Sequence, residues 1–171
     1  MTFRLSLLCF CAAMLGLGGG CANYHLGTEG KLAFATLYVE PVVNQTTLPQ
    51  SRAILGTQIR EAFAQDGRVS LVNSATAADA TLHVVIRDYH RDVASVRESD
   101  TGLARKFTLT LSVACTLRDN RTGKDLFVDR IVNVQRDAFT DGGQLQSEYQ
   151  TLPVLAAALG KKVSHAVLDV W

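Results

Sequence analysis

Two stretches alternate apolar and polar residues with period two. Leu82, Val84 and Ile86 alternate with Thr81, His83, Val85 and Arg87, and Phe107, Leu109, Leu111, Val113, Cys115 and Leu117 alternate with Thr108, Thr110, Ser112 and Thr116. Six consecutive apolar positions at that period predict a strand with one face on a core and a Thr-rich face toward water or a partner. The turn Asp119-Asn-Arg-Thr-Gly-Lys124 leads to a further strand at 126–134, as in a β-meander, and Ser95 to Gly102 reads as a charged loop between the two long strands. Upstream, 33–43 reads as a strand with Pro41 marking an edge or an end.

Three- and four-residue spacing appears twice. Leu55, Ile59, Ala62 and Phe63 give an amphipathic helix over 51–66, with Ser51 as an expected N-cap and Gly67 as its stop. After Asp141-Gly-Gly, Leu152, Leu155, Leu159, Val163, Ala166, Val167 and Val170 give a second helix, expected to start near Thr151 with Pro153 in its first turn. Between the first helix and the long strands lie a short apolar stretch, Val69 to Val72, and a small-residue turn, NSATAADA. These elements predict an α/β (α+β) sandwich: a mostly antiparallel sheet of about four strands with two amphipathic helices on one face and the other face bare.

The first twenty residues follow a different composition. Arg4 precedes an uncharged run, Leu5 to Leu17, and then Gly18-Gly-Gly-Cys21. The run has the length of a signal peptide's apolar region and is short of the ~20 residues a spanning helix needs. Residues 1–20 are therefore expected to be a signal peptide, Cys21 the lipidation site, 22–32 a polar tether and 33–171 a single domain. The lipobox is atypical, with its leucine four places before the cysteine instead of three, and no aspartate follows Cys21. By resemblance to enterobacterial lipoproteins, that context implies sorting to the outer membrane, with the protein lipid-anchored on its periplasmic side. Cys9 and Cys11 would leave with the signal peptide and Cys21 would carry lipid, so Cys115 alone remains and no internal disulfide is expected. Without Arg4, sixteen basic side chains face sixteen acidic ones, and a formally neutral chain excludes nucleic acid as an expected partner.

Candidate chemistry is sparse. Asp88, His90 and Asp92 fall at successive i, i+2 steps, a spacing compatible with a metal or with acid–base work, but no second His or Cys motif accompanies them, and a solvated strand end accounts for them better. No metal or other cofactor is expected beyond the lipid on Cys21. Cys115 sits on the apolar side of its strand as a core thiol, and Ser164 beside His165 lacks a nucleophile-elbow context. Function should then lie in a surface and an anchor. Arg87, Arg91, Arg105, Lys106, Arg121 and Lys124 fall in or beside the long strands and could gather near the sheet ends to pair with phosphate or carboxylate head groups. The face bearing Thr108, Thr110, Ser112 and Thr116 is the expected partner-facing surface.

A lipidated Cys followed by Tyr24-His25-Leu26, a strand ending Val39-Glu40-Pro41-Val42-Val43-Asn44-Gln45-Thr46, an amphipathic helix, Ala78-Asp79 before a strand closing in Asp88-Tyr89, and the hairpin Arg118-Asp119-Asn120-Arg121-Thr122-Gly123-Lys124 together resemble the LptE family of lipopolysaccharide-assembly lipoproteins. The resemblance runs in order over the whole mature chain. It implies a non-enzymatic domain seated as plug and assembly partner inside a large LptD-type outer-membrane β-barrel, in contact with lipopolysaccharide. Two other classes stay open. One is an envelope lipoprotein that regulates a cell-wall synthase or belongs to a secretion complex; the other is a lipid-anchored hydrolase built around His90.

Overall fold

In the computed structural model, residues 32–48, 50–97, 100–139 and 144–169 are described, those at 95–105 and 144–145 by backbone alone. The expected signal peptide, Cys21 and nearly all of the tether lie outside these residues, as does the Arg105 side chain. The elements are β1 (Thr36–Val39), β2 (Val43–Asn44), α1 (Ser51–Asp66), β3 (Ser70–Val72), a 3-10 turn (Ala75–Ala77), β4 (Ala80–Arg97), β5 (Asp100–Asp119), β6 (Asp125–Phe139) and α2 (Gln144–Leu168).

They form one mixed sheet in the order β3-β1-β4-β5-β6, with β2 continuing the line of β1 along β4. The α+β class matches expectation, with a larger and less uniformly antiparallel sheet. β4–β5 and β5–β6 are the expected antiparallel meander, whereas β1–β3, β1–β4 and β2–β4 are parallel. Parallel neighbours need a crossover, and α1 supplies it between β1 and β3. The strand expected over 33–43 is two short ones: Pro41 has no N–H to give, and the ladder breaks around it before resuming at Val43. The expected 95–102 loop is largely strand, because β4 runs to Arg97 and β5 begins at Asp100.

Helix α1 starts where expected, but its N-cap is Gln50 in the left-handed region; the buried Ser51 hydroxyl donates instead to Leu48 O at 3.0 Å. At its other end Gly67, at φ 73°, closes the helix by donating to Phe63 O. Helix α2 begins two turns earlier than expected and carries Pro153 inside it. Pro153 is exposed, so the carbonyl deprived of its bond, that of Tyr149, meets water rather than the core.

Leu55, Ile59 and Phe63 of α1 and Leu155, Leu159 and Val163 of α2 are buried with Leu82, Val84, Ile86, Leu109, Leu111, Val113 and Leu117 of the sheet. Each such side chain contributes about 1.5–3 kcal/mol of burial free energy. Cys115 is wholly buried in this layer, and burial pushes its thiol up to about 12, which makes it a core residue with almost no thiolate.

Polar side chains fasten the edges. The Asp79 carboxylate accepts from the N–H groups of Ala35 and Thr36 at 2.9 and 3.0 Å, and Asp79 N–H donates to Thr36 Oγ1 at 2.8 Å. Those donated bonds hold the Asp79 carboxyl below its ordinary range. In the β5–β6 turn, Asn120 Nδ2 donates to Ala75 O and Ala78 O at 3.0 and 2.9 Å, tying the hairpin to the 3-10 turn. Arg68 joins the two helix ends, 2.7 Å from Asp66 and 2.9 Å from Asp169, with Nη1 donating to Leu168 O.

Candidate partner-facing sheet surface

Both helices pack on one side of the sheet, so the opposite side of β4, β5 and β6 carries no covering element among the described residues. Which residues occupy it is decided by one irregularity. In β4, Ile86 pairs with Val113 but Asp88 pairs with Ser112, so Arg87 is an extra residue, a β-bulge. Strict alternation from Leu82, Val84 and Ile86 would send Asp88, His90 and Asp92 into the core. The bulge shifts the phase by one, so these three face outward and Tyr89, Arg91 and Val93 turn to the helix side.

The outward side chains form rows across the strands. Asp88, Ser112 and Asn133 make one; His90, Thr110 and Gln135 the next; Asp92, Thr108 and Asp137 the third. His90 Nδ1 lies 2.6 Å from Asp88 and Nε2 3.4 Å from Asp92. Asp137 accepts from Thr108 Oγ1 at 3.0 Å and pairs with Lys106 at 2.8 Å; the lysine first and the hydroxyl second hold its carboxyl below the ordinary range. Thr110, in the middle, is buried by its flanking neighbours, and its hydroxyl has no hydrogen-bond partner. Nearer the turn end, Val43, Val85, Ala114 and Ile131 form an apolar row, with Val43 and Ile131 exposed at its two ends. Arg87 spans this row, donating to Gln45 at 2.8 Å on one side and to Asp129 at 3.4 Å on the other. Asp129 is itself at a β6 irregularity, with φ 49° and its N–H on Thr116 Oγ1.

The four hydroxyl residues expected on the partner-facing side thus do share one face. Thr110 is shielded, Thr108 and Thr116 are engaged by Asp137 and the Asp129 N–H, and Ser112 is the half-exposed one at its centre.

The five of the six basic residues whose side chains are described do not gather in one place. Arg87 and Lys106 are on the open face, each beside an aspartate. Arg91 is on the helix side, paired with Glu148 of α2 and 5.7 Å over the Phe107 ring, because the bulge reversed its direction. Arg121 and Lys124 lie in the β5–β6 turn, about 40 Å of strand away from Lys106, and Arg121 is engaged by Asp119 and Ala33 O. Among the described residues no cluster of His, Cys, Asp and Glu has the geometry to hold a metal, and no helix is long and apolar enough to cross a membrane.

The exposed apolar residues of β6 that the alternation did not single out are Leu126, Val128, Ile131 and Phe139. Ile131 had a signal, since it alternates with Val132 and Val134; its outward phase becomes visible only from the pairing with Ala114.

The fold and this face define a class: a helix-backed α+β sheet with a long polar meander surface. Solved structures share the fold. Lipoprotein B from Nitrosomonas europaea matches at 19% identity and TM-score 0.53, over 84% of this chain and 88% of that one. The minor lipoprotein from Acinetobacter baumannii matches at 17% and 0.54, over 81% and 95%. A hypothetical protein from Chlamydia trachomatis matches at 13% and 0.56, over 79% and 96%. At these identities the likeness is one of fold. A search of the curated proteins gave no match. The family model described as LptE, lipopolysaccharide-assembly, matches residues 34–159, most of the chain. The protein belongs to the LptE family of lipopolysaccharide-assembly lipoproteins.

Proposed function

We propose that the domain acts as plug and assembly partner of an LptD-type outer-membrane β-barrel, held on the periplasmic side of the outer membrane by lipid on Cys21. The observation that carries this reading is the β4 bulge at Arg87. It turns Asp88, His90 and Asp92 outward, so that the meander presents a broad polar surface suited to a barrel lumen rather than to lipid. Neither the partner nor the membrane calls for chemistry by the protein's own side chains. Lipopolysaccharide contact is second to the scaffold role, and within it Arg87 and Lys106 are the cations that share the open face. Both already neighbour an aspartate, and the expected mature charge is zero, so contact through head-group phosphate is expected to be modest.

A photo-crosslinking amino acid at Ser112, in living cells, tests the reading. The expected product is a single adduct of the mass of a large β-barrel. Adducts restricted to soluble periplasmic proteins would overturn it, and adducts with a peptidoglycan synthase or a secretion pore would move the protein to the regulatory class.

A further inference from the structure

On the helix side, a cleft of about 750 Å3 runs between the segment Pro41–Val42 and the flank of α1. It takes no part in the open face described above. Its floor is apolar, with Val42 and Ile54, and two cations line it, Arg52 and Arg60, with no Asp or Glu among its lining residues. Arg60 is held in place by two carbonyl oxygens, Gly56 O and Val39 O, both at 3.0 Å, so its position is fixed while no carboxylate among the described residues pairs with it. Gly56 makes room for this, because a Cβ there would stand 3.2 Å from the guanidinium. Arg52 is exposed and has no hydrogen-bond or ion-pair partner among the described residues.

The backbone beside the cleft is a free sheet edge. β3 covers β1 on this edge, but no strand covers β2 among the described residues. Gln45 N–H donates to Ile86 O, so Val43 and Gln45 address β4 and the main-chain groups of Asn44 face the uncovered side.

We propose that this cleft is a strand-addition site for an acidic extended peptide segment of a partner protein, laid along β2 in line with β3, with carboxylates on Arg52 and Arg60. The spacing is what singles out a peptide. Along the α1 axis the two arginines are offset by about 12 Å, with Arg52 on a long exposed side chain that can swing toward the edge, and four residues of an extended chain span about 13 Å. Two carboxylates at i and i+4 of a strand point to the same side and match that distance. Main-chain pairing along the edge would supply affinity, and the charges register. The site lies apart from the barrel-facing surface, so a failed Ser112 crosslink would leave it standing.

The test uses the purified full chain and the fluorescein-labelled peptide TEVTVET, which carries glutamates at that separation. Anisotropy should report saturable binding, with amide shifts in a ¹⁵N spectrum concentrated on Asn44, Ile54, Gly56 and Thr57. Arg52→Glu, an exposed change whose unaltered thermal melt would confirm folding, should weaken the peptide at least tenfold. The lysine counterpart, TKVTVKT, should bind that variant better than it binds the wild type. Absence of binding at millimolar peptide, equal binding of both peptides to the wild type, or shifts on the open sheet face would each overturn the proposal. Binding of dodecyl phosphate at these amides without binding of the peptide would overturn it too, in favour of a lipid-phosphate site.

Discussion

A Cβ added to Gly160 of α2 would lie 2.6 Å from the carbonyl oxygen of Gln58 and 2.9 Å from its carbonyl carbon, so the absent side chain is what lets α2 touch the backbone of α1. Two effects of Gly160→Ala oppose each other. Alanine is about 1 kcal/mol better than glycine inside a helix. Against this, a methyl group pressed on main-chain atoms that cannot rotate away must part the helices, and overpacking costs about 1–3 kcal/mol, more where the obstacle is backbone. The clash should win. Gly160→Ala is expected to lower stability by about 2 kcal/mol, seen in urea as a reduced midpoint at unchanged slope; a midpoint raised by the equivalent of 1 kcal/mol would show that the helices do not approach this closely. Such a contact is not legible in a sequence, where Gly160 reads only as an interruption of an Ala- and Leu-rich helix. Cys115 is the opposite case. Its place in a six-member alternation already put it in the core, and the structure buries it completely.

Among elements, legibility followed the strength of the local signal. α1 was readable because four apolar positions share a face and Gly67 stands where a left-handed closing residue is needed. The start of α2 was not: Gln144 to Gln150 is mostly polar, with Leu145 and Tyr149 too few to set a helical period, and the proline nine residues in argued for a later start, whereas exposure of that turn lets the helix run through it. β1 and β2 read as one strand because the partner they share, β4, lies 40 residues downstream. The bulge at Arg87 was hard to see because the inward positions after Ile86 are Tyr89, Arg91 and Val93, and the charge at Arg91 blurs the shifted alternation that the pairing with β5 makes plain. That phase separated Arg91 from Arg87 and so scattered the basic group. Deleting Arg87 tests the phase directly. The deletion restores simple alternation, leaving Ile86 inward and Asp88 outward, so the domain should fold with a loss of only about 1–2 kcal/mol from the Gln45 and Asp129 contacts. Deleting Val84 instead would put Ile86 on the open face and Arg87 under the helices, and should give insoluble protein. Comparable folding of both deletions by circular dichroism would show that the register is looser than the ladder implies.

At the scale of the whole molecule, the two sides of the sheet answer different demands. The helix side holds nearly all of the apolar burial and fixes stability, while the open side is mostly polar, with an apolar row through Val85 and Ala114 whose ends, Val43 and Ile131, stay exposed, and with Phe139 exposed beside Lys106 at its far end. An apolar residue more than half exposed on a monomer's open sheet face adds little to that monomer's stability but contributes strongly once a partner removes it from water. Ile131 is 59% exposed and Val154, on α2, is 54% exposed, so the pair forms a matched comparison. Ile131→Asp and Val154→Asp should each change the unfolding free energy of the isolated domain by no more than about 0.5 kcal/mol. Their effects on assembly should differ. If the open face meets the barrel wall, burying a carboxylate at position 131 without a partner costs at least about 2–3 kcal/mol, a loss of roughly 30- to 150-fold in association. Co-purification of the barrel with Ile131→Asp should then fall to near background while Val154→Asp stays at the wild-type level. Equal recovery with both variants would place the contact elsewhere on the domain, and loss with Val154→Asp alone would assign it to the helix layer.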